Sequence, residues 1–297
     1  MNAPAAPPGL TGQSMVAPLT AVLVKRPGRA GASDWAEAGW HDRPVPDRAE
    51  AEHAAFRQVL LEAGAAIVEL PTDARTGADS IYCHDPCLAT DDGLLLLPMG
   101  KASRRSESVA LADAAEALGI PIAGWLPGSG TAEGGDLVWL DRSTLLAGRG
   151  LRTDAAGIAA LRGWFEPRGV EVVEVPLPWG EGPSACLHLM SLLSMLDDDL
   201  AVVHLPLLPV PLVELLEARS VRLVPIPVEE YPTQGCNVLA VGPRNVVLLD
   251  ANPRTADRLA AAGCRVHTIA GAEMAMKGDG GPTCLTRPVW RSVSPPA

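Results

Sequence analysis

Ala63-Gly64-Ala65-Ala66-Ile67-Val68-Glu69-Leu70 is a Gly-led apolar run of strand length, and it follows the charged, helix-patterned stretch Glu50 to Glu62. The same design recurs four times. The copies are Leu118-Gly119-Ile120-Pro121-Ile122-Ala123-Gly124-Trp125, Arg168-Gly169-Val170-Glu171-Val172-Val173-Glu174-Val175, Ala218-Arg219-Ser220-Val221-Arg222-Leu223-Val224-Pro225 and Ala262-Gly263-Cys264-Arg265-Val266-His267-Thr268-Ile269. Stretches of helical periodicity precede them at Ala110 to Ala117, Ala155 to Phe165, Leu212 to Glu217 and Thr255 to Ala261. Before each helix lies another strand candidate: Ala21 to Lys25, Leu94 to Pro98, Leu145 to Gly148, Ala201 to Leu205 and Val246 to Asp250. The repeating unit is therefore strand, helix, strand. Its spacing of roughly 45 to 55 residues suits propellers, solenoids and arrays. A closed array of five α/β units is the simplest arrangement, and a doubly wound α/β sheet is the alternative. Against the latter, Lys25-Arg26-Pro27-Gly28-Arg29 lacks the Gly spacing of a phosphate loop. Gly128-Ser129-Gly130 with Gly134-Gly135 leads into the strand-like Leu137 to Leu140, so no nucleotide site is expected.

The 297 residues, 47% of them hydrophobic, suffice for a sizeable core. A formal charge of −11 argues against a nucleic-acid partner, which requires a basic face. Apolar stretches such as Leu94 to Met99 and Leu200 to Val213 are short or interrupted, so no membrane span is expected. Met1 to Pro18 is rich in Ala, Pro and Gly without a basic start, which reads as a flexible segment 1–18 ahead of a single catalytic domain, 19–297, in a cytoplasmic protein. Six scattered cysteines suggest free thiols, mostly buried. Cys83 and Cys87 flank His84, but no matching ligand set recurs to make a zinc site.

Chemistry needs a nucleophile, a base and groups to hold a substrate. Cys284 follows the Gly-rich loop Gly278-Asp279-Gly280-Gly281-Pro282-Thr283, where backbone can approach a ligand closely; a packed, inert thiol is the alternative. His188, in Cys186-Leu187-His188-Leu189-Met190-Ser191, is the best base among six histidines, although Leu on both sides also suits a core histidine. His41, His53 and His267 read as surface residues, and His204 as structural. Asp85 before Pro86, and Glu133 and Asp136 around Gly134-Gly135, are candidate acids or turn residues. In a closed ring, acids and a Cys–His pair from different repeats would converge.

These residues, in order, resemble the guanidine-modifying enzymes that include dimethylarginine dimethylaminohydrolase, arginine deiminase and the amidinotransferases. The resemblance rests on Asp85-Pro86, Ser103-Arg104-Arg105, Glu133-Gly134-Gly135-Asp136, Arg152-Thr153, Leu187-His188-Leu189, Asn237-Val238-Leu239 and Gly280-Gly281-Pro282-Thr283-Cys284-Leu285. It implies a five-bladed α/β propeller, the pentein fold. It further implies Cys284 as nucleophile, His188 as general acid and base, and Glu133 as the carboxylate that orients the histidine and substrate. Asp85 would grip the guanidinium. Arg104 and Arg152 would bind the α-carboxylate or stabilise the site, Asp136 would join the substrate-binding set, and Asn237 would brace the nucleophile loop.

The implied activity is C–N hydrolysis of the guanidino group of an arginine-like amino acid, of dimethylargininase type. A covalent Cys thiouronium intermediate would give a ureido product such as citrulline, plus an amine. That chemistry requires no metal or cofactor, and its partner is a small guanidino molecule; a homo-oligomer is left open. Arginine deiminases carry an acidic residue two positions after the histidine, where this chain has Met190, and usually Arg before the Asp-Pro pair, where it has His84. Both departures favour an N-substituted arginine or another guanidino acid. The alternatives are an amidinotransferase, an arginine deiminase or dihydrolase, and a non-catalytic protein-binding propeller.

Overall fold

Each repeat carries one strand more than expected in the computed structural model, which describes residues 6–28, 34–183 and 185–293. The first blade holds β1 (Leu10–Thr11), β2 (Leu19–Lys25), α1 (Trp35–Ala38), α2 (Pro46–Glu62) and β3 (Ala66–Leu70). The second holds β4 (Cys87–Thr90), β5 (Gly93–Leu96), α3 (Arg105–Ala117) and β6 (Ile122–Trp125). The third holds β7 (Leu137–Asp141), β8 (Thr144–Arg149), α4 (Ala155–Phe165) and β9 (Glu171–Pro176). The fourth holds β10 (Leu193–Asp197), β11 (Leu200–Val203), α5 (Val210–Ala218) and β12 (Arg222–Pro225). The fifth holds β13 (Leu239–Gly242), β14 (Asn245–Leu249), α6 (Pro253–Ala261) and β15 (Arg265–Ile269), after which β16 (Arg287–Ser292) returns to the first sheet.

Blades two to five share one topology. An antiparallel hairpin supplies the inner and middle strands, and a helical crossover adds the outer strand parallel to the middle one. In the first blade β16 takes the inner place, pairing antiparallel with β2 and so joining the end of the chain to its beginning. The inner strands β4, β7, β10, β13 and β16 all border one axial cavity, the arrangement of a five-bladed α/β propeller. The sequence reading missed four of these strands and marked only Leu137 to Leu140. β4 is buried at every position, so it has no alternation of apolar and polar residues to signal a strand.

The recurrent glycine has a conformational cause. Gly64, Gly119, Gly169 and Gly263 follow their helices with φ of 89°, 69°, 77° and 92°, the left-handed turn that sends the chain back into the outer strand. The fourth repeat places Ser220 there, at φ 59°. Hydrophobic clusters then fill the spaces between blades; one joins Leu88 and Leu95 of the second to Trp139, Leu145 and Phe165 of the third.

Of the first 18 residues, 1–5 lie outside the described residues and the remainder make defined contacts. Leu10 and Thr11 pair with Ser292 and Arg291, and Thr11 Oγ1 donates to Asp91 at 2.5 Å. His53, expected at the surface, is buried on the inner face of α2. His204 stacks on Tyr231 at 3.9 Å between ring centroids. All six cysteines are free thiols, four of them buried, with Cys186 exposed and Cys284 half-buried. Among the described residues no helix is long and apolar enough to cross a membrane.

Candidate active site

Asp85 sits in the loop entering β4, where its carboxylate is gripped on both oxygens. Gly135 N–H donates to Oδ1 at 3.0 Å and Arg104 Nη1 to Oδ2 at 2.6 Å. Burial alone would raise its pKa, but Arg104 and His188 outweigh burial and hold it well below the usual carboxylate range. Arg104 is fully committed: Nε donates to Glu107 at 3.1 Å, and Nη2 to Tyr82 O and Glu107 Oε2, both at 2.9 Å. It therefore shapes Asp85 from behind and offers no free edge for a substrate carboxylate. For Glu107, burial prevails over Arg104 and raises the pKa.

Glu133, 0% exposed, faces the same space from the third blade. Its Oε2 meets His188 Nε2 at 2.8 Å, while Oε1 accepts Lys101 N–H at 2.8 Å and lies 3.7 Å from Arg152 Nη1. His188 begins a short 3-10 turn whose Leu189 N–H donates to Asp136 Oδ1 at 3.0 Å. Burial opposes a charged imidazole here, yet the Cys186 thiol, Asp85 and Asp136 outweigh it and hold the His188 pKa well above 6.5. The direction of the shift favours the imidazolium. Cys186 Sγ lies 3.6 Å from its second nitrogen, Nδ1.

The Gly134-Gly135 pair makes this approach sterically feasible. A Cβ at Gly135 would come within 2.5 Å of His188 Nδ1 and 3.0 Å of Asp85 Oδ1, so a larger residue would separate acid from base. Asp136, expected to bind substrate, lies behind His188 instead. Its oxygens accept Leu189 N–H and, at 2.6 Å, Thr153 Oγ1–H, and burial pushes its pKa up to about 6. Arg152 is nearly buried and reaches Ala185 O at 3.5 Å, alongside the Glu133–His188 pair.

Cys284 enters from the loop before β16. Asn237 Nδ2 donates to its Sγ at 3.0 Å, and Asn237 Oδ1 accepts Thr283 N–H at 3.0 Å, so one side chain fixes both thiol and loop. Gly281 presses against Asn237; a Cβ there would lie 2.6 Å from the amide carbon. Burial first, then Asp85 and Cys186, push the Cys284 pKa up to about 12, with Asn237 and His188 acting the other way. A cavity of about 590 Å³ opens beside the pair, lined by Gly39, His41, Cys186, Tyr231, Asn237 and Asp279 among others. Ligand atoms of Asp85, Glu133 and His188 lie within 4.8 Å of one another, close enough to surround a metal ion. A metal would, however, have to displace the proton shared between His188 Nε2 and Glu133 Oε2.

The structure thus brings Cys284, His188, Glu133, Asp85 and Asn237 together, with Arg152 at the margin and Arg104 and Asp136 behind. Met190, where deiminases place an acid, is buried in the core at 3% exposure. Sequence reasoning missed Cys186, although its place two residues before His188 was a visible signal. It also missed Lys101 and Asp79, which bond to each other at 2.5 Å beside the site and carry no motif.

Similar proteins were found at three levels, family, sequence and fold. The family model for arginine deiminase matches residues 78–210 and 208–291. A dimethylarginine dimethylaminohydrolase from Streptomyces coelicolor is 34% identical over 182 residues, covering 61% of this chain and 64% of that protein. An arginine deiminase from Listeria welshimeri is 24% identical, covering 71% and 61%. The chain thus spans somewhat less than two thirds of either relative's length. In fold it matches the structure of a mutant Pseudomonas aeruginosa dimethylarginine dimethylaminohydrolase complexed with citrulline, with a TM-score of 0.75 at 23% identity over 91% of this chain and 98% of that one. Most of the chain is covered by that single family model, and the chain belongs to the arginine deiminase family.

Proposed function

We propose that the protein is a C–N hydrolase of the guanidino group of an arginine-like amino acid, carried by one catalytic domain that includes the described part of the N-terminal segment as well as residues 19–293, in a cytoplasmic protein. The observation that carries this reading is geometric: the Cys284 thiol held by Asn237 at 3.0 Å, a buried His188–Glu133 pair at 2.8 Å and the buried carboxylate of Asp85, fixed by Gly135 and Arg104, meet in one site. Such a site lacks only a cation. A guanidinium bound to Asp85 by charge-assisted hydrogen bonds brings its positive charge to the thiol, which ionises and releases its proton to solvent.

The thiolate then attacks the central guanidino carbon. His188, protonated and held by Glu133, gives its proton to the departing amine, leaving a thiouronium on Cys284. Neutral His188 next takes a proton from water as the water attacks that carbon. The C–S bond breaks, thiolate leaves and the ureido product sheds a proton to solvent. Arg152, whose Nη2 donates to Ala185 O in the cavity wall, suits the α-carboxylate better than the committed Arg104.

The leaving group follows from Met190. Its burial leaves no second carboxylate at that position to grip an unsubstituted guanidinium nitrogen, which favours an N-methylated substrate over arginine. The test is incubation with arginine, methylated arginines and an acceptor amine, with products identified by mass spectrometry and Cys284→Ala as control. Citrulline plus methylamine or dimethylamine is expected. Amidino transfer to the acceptor alone would overturn the hydrolase reading, and no turnover or labelling of Cys284 would point to a binding protein.

A further inference from the structure

The axial cavity is lined by four residues that each carry a buried polar atom with no hydrogen-bond partner among the described residues. These atoms are Nε of Arg287, Nε of Arg291, Oγ1 of Thr283 and Nε2 of His84. Arg287 and Arg291 are 3% and 1% exposed. Their partners are neutral groups: Arg287 Nη2 donates to His84 O and the Arg287 side chain also bonds to the Cys87 thiol, while Arg291 Nη1 and Nη2 donate to Ala17 O at 2.6 Å and Ala240 O at 2.9 Å. Neither forms an ion pair with a carboxylate among the described residues. Asp85 reaches Arg287 only through its field, because its oxygens are held by Arg104 and Gly135. Two like charges are therefore buried together, and burial with the repulsion of Arg287 pushes Arg291 down to about 9.

We propose that this axial cavity is a binding site for a monatomic anion of the halide class, chloride being the abundant member. At about 20 Å³ it has room for a body the size of one water, too little for sulfate or phosphate. A water could accept both Nε–H groups but would leave two buried positive charges uncompensated, whereas an anion satisfies the donors and the charge together. Thr283 can turn its hydroxyl hydrogen inward as a third donor. His84 Nδ1 donates to Thr286 O at 2.8 Å, so its Nε2 presents a lone pair and the anion lies nearer the arginines. Gly12, Ser14 and Met15 line the same cavity, and Arg291 bonds to Ala17. The ion would thus tie the N-terminal segment to the axis of the ring.

The experiment is to unfold the protein in denaturant and refold it in sodium bromide or sodium gluconate at equal ionic strength. An anomalous diffraction peak from bromide in the axial cavity, within hydrogen-bond reach of Nε of Arg287 or Arg291, is expected in the first preparation. The melting temperature should climb about 2–4 °C for each tenfold rise in halide above its dissociation constant. Gluconate or sulfate should give no such rise, and Arg291→Met should abolish the response to halide. Water-like density without an anomalous peak, or equal melting in bromide and gluconate, overturns the proposal. If Arg291→Met does not fold, the bromide peak in the unaltered protein decides alone.

Discussion

Gly135→Ala is a steric lever on the reaction that leaves every functional group in place. The added Cβ would stand 2.5 Å from His188 Nδ1, 2.7 Å from its Cγ and 3.0 Å from Asp85 Oδ1. Comfortable carbon contacts begin near ~3.5 Å, so the imidazole must retreat by about 0.8–1 Å and the carboxylate by about 0.5 Å. Neither is free to do so. His188 is held through Glu133 at 2.8 Å, and Asp85 through Arg104 at 2.6 Å. Gly135 does not have a left-handed φ, so alanine brings no backbone strain of its own. A misplacement of this size costs on the order of 10²-fold in rate, while overpacking lowers stability by about 1–3 kcal/mol. The readouts are initial rates of ureido product and thermal melting, with folding confirmed by circular dichroism. A folded Gly135→Ala protein within about threefold of the parent's kcat/KM would refute the argument that this close approach sustains catalysis.

Three further outcomes follow from the burial and geometry. Alkylation of Cys284 by neutral iodoacetamide should accelerate about tenfold per pH unit from neutrality past pH ~10, because only the thiolate reacts. The rate is read by peptide mass spectrometry in a Cys186→Ser background, and a plateau near pH ~8 would contradict the assigned environment. Asp136 binds its proton more tightly in the folded protein, about 6 against an ordinary 3.8, so its contribution to stability is greatest below the unfolded value and falls as pH rises through the folded one. Asp136→Asn should remove a loss on the order of 3 kcal/mol between pH ~4 and ~6, visible as a difference in slope between the two denaturation series; parallel slopes would count against it. Ser220→Gly should stabilise by about 0.5–1 kcal/mol in urea denaturation, since relief of the left-handed penalty exceeds the added chain entropy; a destabilised variant would mean that the Ser220 side chain has a role of its own.

The outer strands were legible because each follows a helix and a left-handed turn, Gly in four repeats and Ser220 in the fourth, as in Gly169 before Glu171–Pro176, and the middle strands because a helix follows each. The inner strands were not. Leu193–Asp197 lies in the packed centre, and its near-uniform burial erases the period-two signal. The site residues were legible only as an ordered set, because their convergence depends on ring closure by β16. Local sequence could not tell Glu133 from Asp136, which flank one Gly pair and are equally buried; a single 3-10 turn points one at His188 and the other behind it. Nor could it show Arg104 spent on Asp85 and Glu107, since three of its partners lie 19 to 25 residues away.

The high pKa of Cys284 looks adverse for a nucleophile, yet after burial its largest cause is Asp85, the carboxylate that on the proposed mechanism selects the substrate. On the proposed mechanism Asp85 both repels the thiolate and attracts the guanidinium, so removing it would lower one barrier to ionisation only by losing the substrate. The thiolate and the bound cation therefore appear together. Without a cation the thiol is neutral and reacts slowly with oxidants and neutral electrophiles, even though Cys186 and an open cavity lie alongside. The same logic governs release. Hydrolysis turns a cation into a neutral ureido group, whose bonds to Asp85 are no longer charge-assisted. As the product's charge disappears, the reason for Cys284 to remain ionised disappears with it; the thiol reprotonates, and reversal of the attack is suppressed by the same carboxylate that promoted the forward reaction.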